Sequence, residues 1–289
     1  MEKIYSLEKD KIVVHDLTQF CIKHILECGQ VFRFTRLYDK ENDQIKYAYE
    51  VITLDKKAII FEYKDKAEII TNDVNYFINY FDLDTDYNEI KNNLMFDEVI
   101  KSAIKYGYGI RILRQDIFEM IISFIISANN NIKRIQKSLN LISEKYGTKI
   151  DDYYAFPTFN QLKNAKVEDL RKLGVGFRDK YIVETINMLC DVDLQNLRCL
   201  NTNQLSKYLV SLKGVGQKVA DCIMLFAFYK MNVFPVDTWI KQVFKDFYCS
   251  SNQDSSIKNA NNIREFFLKR FGDYSGYAQQ YLFYYKREL

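Results

Sequence analysis

One stretch of the sequence, residues 212–221 with the letters LKGVGQKVAD, constrains the fold more than any other. Apolar residues at helical spacing precede it, and a second helical pattern begins at Gln217. Between the two patterns, Gly214 and Gly216 can adopt positive φ and permit close approach of another backbone. The stretch therefore predicts a helix, a tight glycine hairpin and a second helix within residues 203–230.

The start of the second helix suits a phosphate group. The free N–H groups from Gly216 to Val219 point outward there, together with the positive end of the helix dipole. We therefore expect Gly214, Gly216 and Val219 to form a phosphate-binding hairpin that grips one strand of DNA without reading its bases. Non-catalytic DNA-binding modules also place Gly-x-Gly turns between helices, so the hairpin by itself does not indicate an enzyme.

Two ionisable residues follow the hairpin. Lys218 lies on the first turn of the second helix, where the dipole disfavours an ammonium group and favours the free amine, the standard nucleophile of Schiff-base chemistry. Asp237 follows Pro235 and Val236, so its carboxylate can cap the next helix and be held near Lys218. An amine beside a fixed carboxylate suits a reaction at a sugar-centred cation, whereas an Asp after Pro on its own is usually only a helix cap.

Together these motifs resemble the helix-hairpin-helix DNA glycosylases, in which Gly-Val-Gly precedes a lysine and Pro-Val-Asp follows, here at residues 235–237. The run KVADC at residues 218–222 is similar to the 8-oxoguanine DNA glycosylase branch, and the resemblance covers nearly the whole chain. It implies a bifunctional DNA glycosylase and abasic-site lyase. In such an enzyme Lys218 attacks C1′ of the sugar and Asp237 stabilises the developing oxocarbenium charge. The Schiff base then undergoes β-elimination, which nicks the strand.

The same resemblance implies a pocket for a flipped, damaged base, formed by Gly29, Cys222, Pro235, Gln279 and Phe283. At Gly29 a bare backbone could bring its carbonyl to the N7–H that 8-oxoguanine carries and guanine lacks. Guanine would face that carbonyl with a lone pair, and a buried mismatch of this kind costs about 1–3 kcal/mol.

Three of the pocket residues also have plainer interpretations. Cys222 lies one helical turn after Lys218, so it could be a thiolate that forms a dipole with the ammonium group, or a small core residue. Gln279 and Phe283 lie one turn apart, which suits an amide for the edge of the base and a ring for its face. The same spacing also fits an ordinary amphipathic terminal helix.

The resemblance further implies contacts with the base left opposite the lesion. Asn129 and Arg134 begin and end the run NNNIKR, and Arg134 would donate hydrogen bonds to the acceptors of cytosine. The alternative is an Asn-rich turn with helix caps. Because some bacterial relatives lack this arginine, its presence predicts a preference for cytosine.

A second glycine turn, LGVGFR, ends in Phe177 and Arg178. In the family a tyrosine at the position of Phe177 wedges between bases, and the following arginine also reaches the opposite base. Burial of Phe177 in the core is the alternative. Trp239 departs from mammalian relatives, which have a histidine near a phosphate at that position.

The order of predicted elements indicates an α+β fold. Residues 1–87 read as an antiparallel β-rich N-terminal domain, and residues 88–289 as an α-helical body. The expected strands lie at residues 11–17, 30–38, 45–54, 57–64 and 67–71, with hairpin turns at 39–43 and 55–57. The expected helices lie at residues 88–106, 116–128, 132–146, 167–173, 180–191, 204–212, 217–229, 238–248, 261–271 and 275–285.

Charge and cysteine usage narrow the class of partner and cofactor. A net charge of +3 on 289 residues is too small for a histone-like binder, so contact with DNA should depend on a local patch. The six cysteines lack metal-ligand spacing, and only Cys249 follows Asp237, which excludes the four-cysteine iron–sulfur cluster of some relatives. The acidic run at residues 82–86 lacks the glycine and glutamate of a calcium loop. We therefore expect no metal and no organic cofactor.

We expect a monomer that acts on double-stranded DNA containing 8-oxoguanine and has no membrane partner. The start of the chain lacks the apolar core of a signal peptide, and the longest apolar run, near residues 117–126, is too short to span a bilayer. We accordingly expect a cytoplasmic, nucleoid-associated bacterial protein, since the abundance of Lys, Asn, Ile and Tyr hints at an AT-rich genome.

Two alternative functions remain open. One is a helix-hairpin-helix glycosylase for another damaged base. The missing cysteine cluster argues against oxidised pyrimidines, and the presence of Lys218 argues against alkylated purines. The other is a non-catalytic DNA-binding module, which would require neither Lys218 nor Asp237.

Overall fold

A six-stranded antiparallel sheet with the strand order β1-β2-β6-β5-β4-β3 forms the first part of the computed structural model, which describes residues 3–37, 44–249 and 259–289. Ala58 and Ile60 are buried while their neighbours in the strand are partly exposed, the alternation expected of a sheet with one buried face. The strands are β1 (Tyr5–Glu8), β2 (Lys11–Val14), β3 (Phe34–Arg36), β4 (Tyr47–Thr53), β5 (Lys56–Glu62) and β6 (Ala67–Thr71).

Two short helices cover the buried face of this sheet. They are α1 (Ile22–Glu27) and α2 (Val74–Tyr80). Ile25 from the first and Phe77 from the second join the sheet residues in one fully buried apolar cluster. Burial of this cluster supplies the hydrophobic stabilisation that a sheet of such short strands needs.

The rest of the chain is helical and surrounds a second, larger apolar core. A small hairpin of β7 (Lys149–Ile150) and β8 (Tyr153–Tyr154) interrupts it. The predicted fold class, an antiparallel β-rich N-terminal region followed by a helical body, is confirmed. The helices are α3 (Tyr87–Leu94), α4 (Glu98–Tyr106), α5 (Ile117–Ser127), α6 (Ile132–Tyr146), α7 (Phe159–Leu162), α8 (Val167–Leu170), α9 (Asp179–Met188), α10 (Thr202–Ser211), α11 (Gln217–Phe226), α12 (Thr238–Val243), α13 (Ala260–Phe271) and α14 (Ser275–Glu288).

The single helix predicted at residues 88–106 is wrong, because the chain forms two helices there. The first ends before Met95, and Asp97 caps the second by accepting from the backbone N–H groups of Val99 and Ile100, both at 3.0 Å. A capping aspartate followed by glutamate is a helix-start signal within the periodic run. The local cap therefore interrupts a pattern whose apolar period alone looked continuous.

The strand predicted at residues 30–38 is shorter than expected and comprises only Phe34–Arg36. The preceding Gly29 has a φ of +83°, and Gln30 is buried with its side chain bonded to the carbonyls of Ile25 and Arg111. These bonds hold the start of the segment in a turn. The sequence prediction also missed β1, α1 and α2, and the hairpin turn predicted at 39–43 lies outside the described residues.

Arg111 joins the sheet region to the helical body. Its guanidinium is fully buried and donates to backbone carbonyls of Phe81 and Gln19, both at 3.0 Å, as well as to those of Asp82 and Thr85. A buried guanidinium is tolerated here because its donors are paired. Within the described ranges, no helix is both long enough and apolar enough to cross a membrane.

Candidate active site

The predicted hairpin joins α10 to α11. Gly214 has a φ of +77°, and a Cβ there would lie 2.8 Å from the side chain of Tyr181, so the turn requires glycine. Gly216 has a φ of −87°, so of these two glycines only Gly214 uses the positive φ that both permit. A Cβ on Gly216 would meet no described atom within 4 Å, which leaves open space beside the N-terminus of α11. Val219 lines the same space.

Lys218 and Asp237 line one cavity of about 60 Å³. Lys218 lies on the first turn of α11, with its Nζ 5.8 Å from the centre of the Phe124 ring. Asp237 caps α12, and its Oδ1 accepts from the backbone N–H of Ile240 at 2.9 Å. Burial raises the pKa of Asp237, whereas the N–H of Ile240 and the charge of Lys218 oppose that rise. The cap fixes this carboxylate in the cavity that also holds the amine.

The five residues predicted for the base pocket line this same cavity. They come from four separate segments: Gly29 follows α1, Cys222 lies on α11, Pro235 precedes α12, and Gln279 and Phe283 lie on α14. Sequence reasoning missed three further lining residues, Phe124, Phe226 and Gln280. The first two stand in strongly apolar helices, where nothing in the pattern distinguishes a cavity wall from the core.

Two polar groups of the cavity have no partner in the described part of the chain. Gln279 is only 4% exposed, and its buried Oε1 atom accepts no hydrogen bond from the described residues. The carbonyl of Gly29 likewise accepts no hydrogen bond from the described residues. Buried polar groups are normally paired, so the unpaired oxygen of Gln279 in a cavity indicates a ligand that carries a donor, and the partly buried Gly29 offers a second acceptor beside it.

The environment of Cys222 does not favour a thiolate. Burial raises the pKa of its thiol to about 11, even though the nearby Lys218 charge lowers it. At neutral pH the group is therefore a neutral thiol, which argues against the proposed thiolate–ammonium dipole. Cys222 remains a lining residue of the cavity.

The cavity opens into a groove of about 1120 Å³. Asn129 is exposed along the groove with a φ of +51°, and Trp239 also lines it and is 41% exposed. Three cationic residues line the groove that sequence reasoning did not select: Lys133, Lys241 and Arg287. Lys133 lies within the NNNIKR run, and Arg287 lies one helical turn after Phe283, so proximity to known motifs was the available signal.

The groove is not lined by the other three predicted residues, Arg134, Phe177 and Arg178. Arg178 bonds to Asn129 and lies beside Phe177, and Arg134 is close to Arg178. Arg134 is exposed on the first turn of α6. Phe177 is 59% exposed, so its burial in the core is excluded, and it lies edge-to-face with Tyr181. A ring this exposed on a glycine turn is available for insertion between bases.

Arg178 is buried, unlike the neighbouring Phe177. Its Nε and Nη1 donate to the carbonyls of Ala128 at 2.9 Å and Val175 at 3.1 Å, and its Nη2 donates to the carbonyl of Asn129 at 2.9 Å. Burial lowers the pKa of Arg178, and the nearby Arg134 charge lowers it further. Arg178 therefore holds the Asn129 loop in this structure, and its direct contact with an opposite base stays a prediction.

Comparison with family models defines the class of protein. A model described as 8-oxoguanine DNA glycosylase, N-terminal domain, matches residues 12–121. A model described as HhH-GPD superfamily base excision DNA repair protein matches residues 122–269. The fold is thus that of a helix-hairpin-helix base excision DNA repair protein.

Individual relatives narrow this class. The chain is 30% identical to an N-glycosylase/DNA lyase of Saccharomyces cerevisiae, with 92% of this chain and 83% of the relative covered. It is 35% identical to the N-glycosylase/DNA lyase OGG1 of Arabidopsis thaliana, with 61% and 51% covered. A Clostridium acetobutylicum 8-oxoguanine glycosylase/lyase, solved with double-stranded DNA containing cytosine opposite 8-oxoG, has a TM-score of 0.89 and 39% identity, covering 100% of this chain and 99% of that chain.

The chain belongs to the 8-oxoguanine DNA glycosylase family. It is a DNA N-glycosylase with abasic-site lyase activity, and not the non-catalytic DNA-binding module considered as an alternative.

Proposed function

We propose that the chain excises 8-oxoguanine from DNA, preferentially opposite cytosine, through a Schiff base on Lys218. One observation carries the proposal: Lys218, Asp237 and the five predicted pocket residues line a single cavity at the floor of an open groove. An amine, a fixed carboxylate and an adjoining recess lined by polar and aromatic side chains are the parts that the reaction needs.

The chemistry begins at C1′ of the damaged nucleotide. The lone pair of the Lys218 amine forms a bond to C1′ while the bond to the base breaks. The base leaves with the bonding electrons and takes up the proton that the attacking nitrogen gives up. The Asp237 carboxylate stabilises the positive charge that develops on the sugar. The sugar ring then opens to a Schiff base, and loss of the C2′ proton expels the 3′ phosphate.

Base recognition follows from the two unpaired groups of the cavity. The carbonyl of Gly29 would accept the N7–H of 8-oxoguanine, and the Gln279 amide would bond to another edge of the base. The Phe283 ring, which lines the cavity beside Gly29, would stack on its face. Guanine has no N7–H, so it would leave the carbonyl unpaired.

The opposite base would be met by Asn129 in the groove and by residues close to it. Asn129 and Arg134 supply an exposed amide and an exposed guanidinium, which match the acceptors of an unpaired cytosine. Phe177 would fill the gap that the flipped base leaves. Arg178 supports this arrangement through its bonds to the carbonyls of Ala128 and Asn129.

Borohydride trapping tests the proposal. Wild-type protein incubated with a duplex containing 8-oxoguanine opposite cytosine should form a covalent adduct on reduction, because borohydride fixes the Schiff base. Lys218→Gln should bind the duplex but form no adduct and release no base, since an amide cannot attack C1′. Lys241→Gln removes another lysine of the same groove and should still form the adduct. An adduct that persists in Lys218→Gln would contradict the assignment of the nucleophile.

The substrate is tested by changing the damaged base. Duplexes with an oxidised pyrimidine or an alkylated purine in place of 8-oxoguanine should yield little base release under single-turnover conditions. Faster release of either base than of 8-oxoguanine would favour the alternative of a glycosylase for another lesion.

A further inference from the structure

We infer that Gln280 and Arg287 of α14 are positioning residues that fix the turn carrying Gly29 and thereby set selectivity for the damaged base. The inference rests on the proposed role of the Gly29 carbonyl. Gln280 donates from Nε2 to the carbonyl of Cys28 at 2.5 Å, and Arg287 donates from Nη2 to the carbonyl of Glu27. The terminal helix thus binds two successive carbonyls that immediately precede Gly29.

Both side chains act from one face of α14. They stand seven residues apart, which is close to two helical turns, so they project in the same direction. Gln280 is 2% exposed, and the Arg287 guanidinium lies 5.5 Å from the centre of the Phe283 ring. On the far side of the turn, Gln115 donates from Nε2 to the carbonyl of Gln30 at 2.9 Å.

This pattern leaves one carbonyl of the turn available. The carbonyls of Glu27, Cys28 and Gln30 each accept a side-chain N–H from a distant part of the chain. Among residues 3–37, 44–249 and 259–289, none donates to the carbonyl of Gly29, and Gly29 is one of the residues that line the cavity. The bonds on both sides therefore hold the turn while its remaining acceptor stays open to a ligand.

Glycine makes such external support necessary. Gly29 has a φ of +83° and no side chain of its own to restrict rotation of its peptide groups. A carbonyl that rotates freely can turn away from the lone pair at N7 of guanine and lose the mismatch that distinguishes the two bases. Gln280 and Arg287 supply the restriction that the glycine lacks.

The test compares Gln280→Met and Arg287→Met with Lys91→Met in the full chain. Methionine keeps an unbranched, apolar chain at each position and removes the donor. Lys91 is a matched control, because it is buried, donates from Nζ to the carbonyl of Thr18 at 2.9 Å and does not line the cavity or the groove.

Selectivity is measured as the ratio of affinities for duplexes with 8-oxoguanine and with guanine opposite cytosine, each variant being combined with Lys218→Gln so that no base is released. A hydrogen bond of this kind is worth roughly five- to a hundredfold in an equilibrium, so Gln280→Met should lower the ratio by about tenfold. Arg287→Met should also lower this ratio. The loss of the Arg287 charge should weaken binding of both duplexes equally and leave the ratio unaffected. Lys91→Met should leave the ratio unchanged.

A second measurement excludes a general loss of structure. Cleavage of a duplex with a preformed abasic site needs Lys218 but no base recognition. In the chain that retains Lys218, Gln280→Met should therefore reduce this cleavage far less than it reduces the selectivity ratio. Abasic-site cleavage that falls in parallel with selectivity would overturn the inference, and so would an unchanged ratio in both variants. If Gln280→Met does not fold, as judged by near-UV circular dichroism, Arg287→Met decides the question. Equal binding of both duplexes by the parent Lys218→Gln protein would instead overturn the proposed function.

Discussion

Asp237 combines a helix cap with a partly buried charge, and the two contributions can be separated by substitution. Asparagine caps a helix about as well as aspartate, so Asp237→Asn should keep the bond to the Ile240 N–H and remove only the charge. Base excision should fall by about 10²–10³ if the carboxylate stabilises the transition state. Single-turnover kinetics measure this loss, and normal turnover would leave the carboxylate only a capping role.

The same variant has a pH signature. Because burial raises the pKa of Asp237, the stability that this group contributes is present below its unfolded pKa of about 3.9 and is lost as pH rises through the folded pKa. Asp237→Asn should therefore gain stability relative to wild type between about pH 4 and neutral pH. Urea unfolding at both pH values measures the difference, and Asp237→Ala, which loses the cap, should be less stable than Asp237→Asn.

Arg134 should determine the preference for the opposite base. Adenine lacks the acceptor pattern of cytosine, so excision opposite cytosine should exceed that opposite adenine by about ten- to a hundredfold, and Arg134→Met should shrink this ratio by slowing the cytosine case. Lys137→Met removes a nearby exposed charge on α6 and should leave the ratio unchanged.

Phe177→Ala should slow excision opposite cytosine and opposite adenine alike, because a wedge fills the gap whichever base is left unpaired. Single-turnover rates opposite C, A, G and T measure these effects, and equal wild-type rates would defeat the assignment.

Individual residues were predictable where their chemistry depends on spacing. The hairpin, Lys218 and the Pro-Val-Asp loop stand close in sequence, and the resemblance carried the distant Gly29 and Gln279 into the same cavity. The buried state of Arg178 was not predictable, because its partners are backbone carbonyls of a loop about fifty residues earlier in the chain. Backbone acceptors carry no sequence signature.

Among the elements, the hairpin between α10 and α11 separates a folding requirement from a binding requirement. Gly214→Ala would place a methyl group 2.8 Å from Tyr181 at a positive φ, so the free energy of unfolding should fall by more than about 1 kcal/mol. Gly216→Ala meets open space at an ordinary φ, and its cost should stay within about 1 kcal/mol. Its methyl group would obstruct a phosphate, so DNA affinity should drop. Melting curves and fluorescence anisotropy measure the two effects, and undiminished affinity in Gly216→Ala would contradict the phosphate site.

Secondary structure was predictable where a long apolar period determines it. Helix α6 begins and ends where the pattern predicts, at Ile132 and Tyr146. The short helices α1 and α2 were missed because six or seven residues are too few for a period to show, and tertiary packing under the sheet stabilises them. The break before α4 shows the reverse case, in which one capping residue overrides a continuous period.

At the scale of the whole molecule, a buried ion pair links helix α5 to the segment before β3. Glu119 on α5 lies 3.6 Å from the Arg33 guanidinium and accepts from the Leu54 N–H at 3.1 Å. Burial raises the pKa of Glu119 to about 7, although the charge of Arg33 opposes the rise. The stability that this group contributes is therefore present below the unfolded pKa of about 4.3 and is lost as pH rises through 7.

Glu119→Gln should reduce this pH dependence. The amide can still accept from Leu54, so the variant should gain stability relative to wild type between about pH 4.5 and pH 8, by up to about 3 kcal/mol. Urea unfolding at several pH values measures the gain. Glu98→Gln changes an exposed carboxylate and serves as the control. A constant difference between Glu119→Gln and wild type across this range would contradict the prediction.

We propose that the boundary between the two domains lies near residue 87. The apolar cluster around the sheet draws its residues from positions 5–83 and from Leu113, whereas the larger core begins at Tyr87 but also includes Cys28 and Phe32. The change from one cluster to the other between residues 83 and 87 supports this boundary. Cys28 and Phe32 are exceptions, so the segment after α1 packs with the helical body. The segment that carries Gly29 therefore depends on both domains.

The bonds of Arg178 have a consequence for how this protein can evolve. One guanidinium joins the glycine turn that presents Phe177 to the loop that presents Asn129, and it also stacks 4.3 Å from the centre of the Phe177 ring. The shape of each loop therefore depends on the shape of the other. A substitution that reshapes one loop must keep the shape of the other loop or be joined by a replacement of Arg178. We therefore expect changes in the preference for the opposite base to arise at exposed neighbours such as Arg134 before they arise in the two loops.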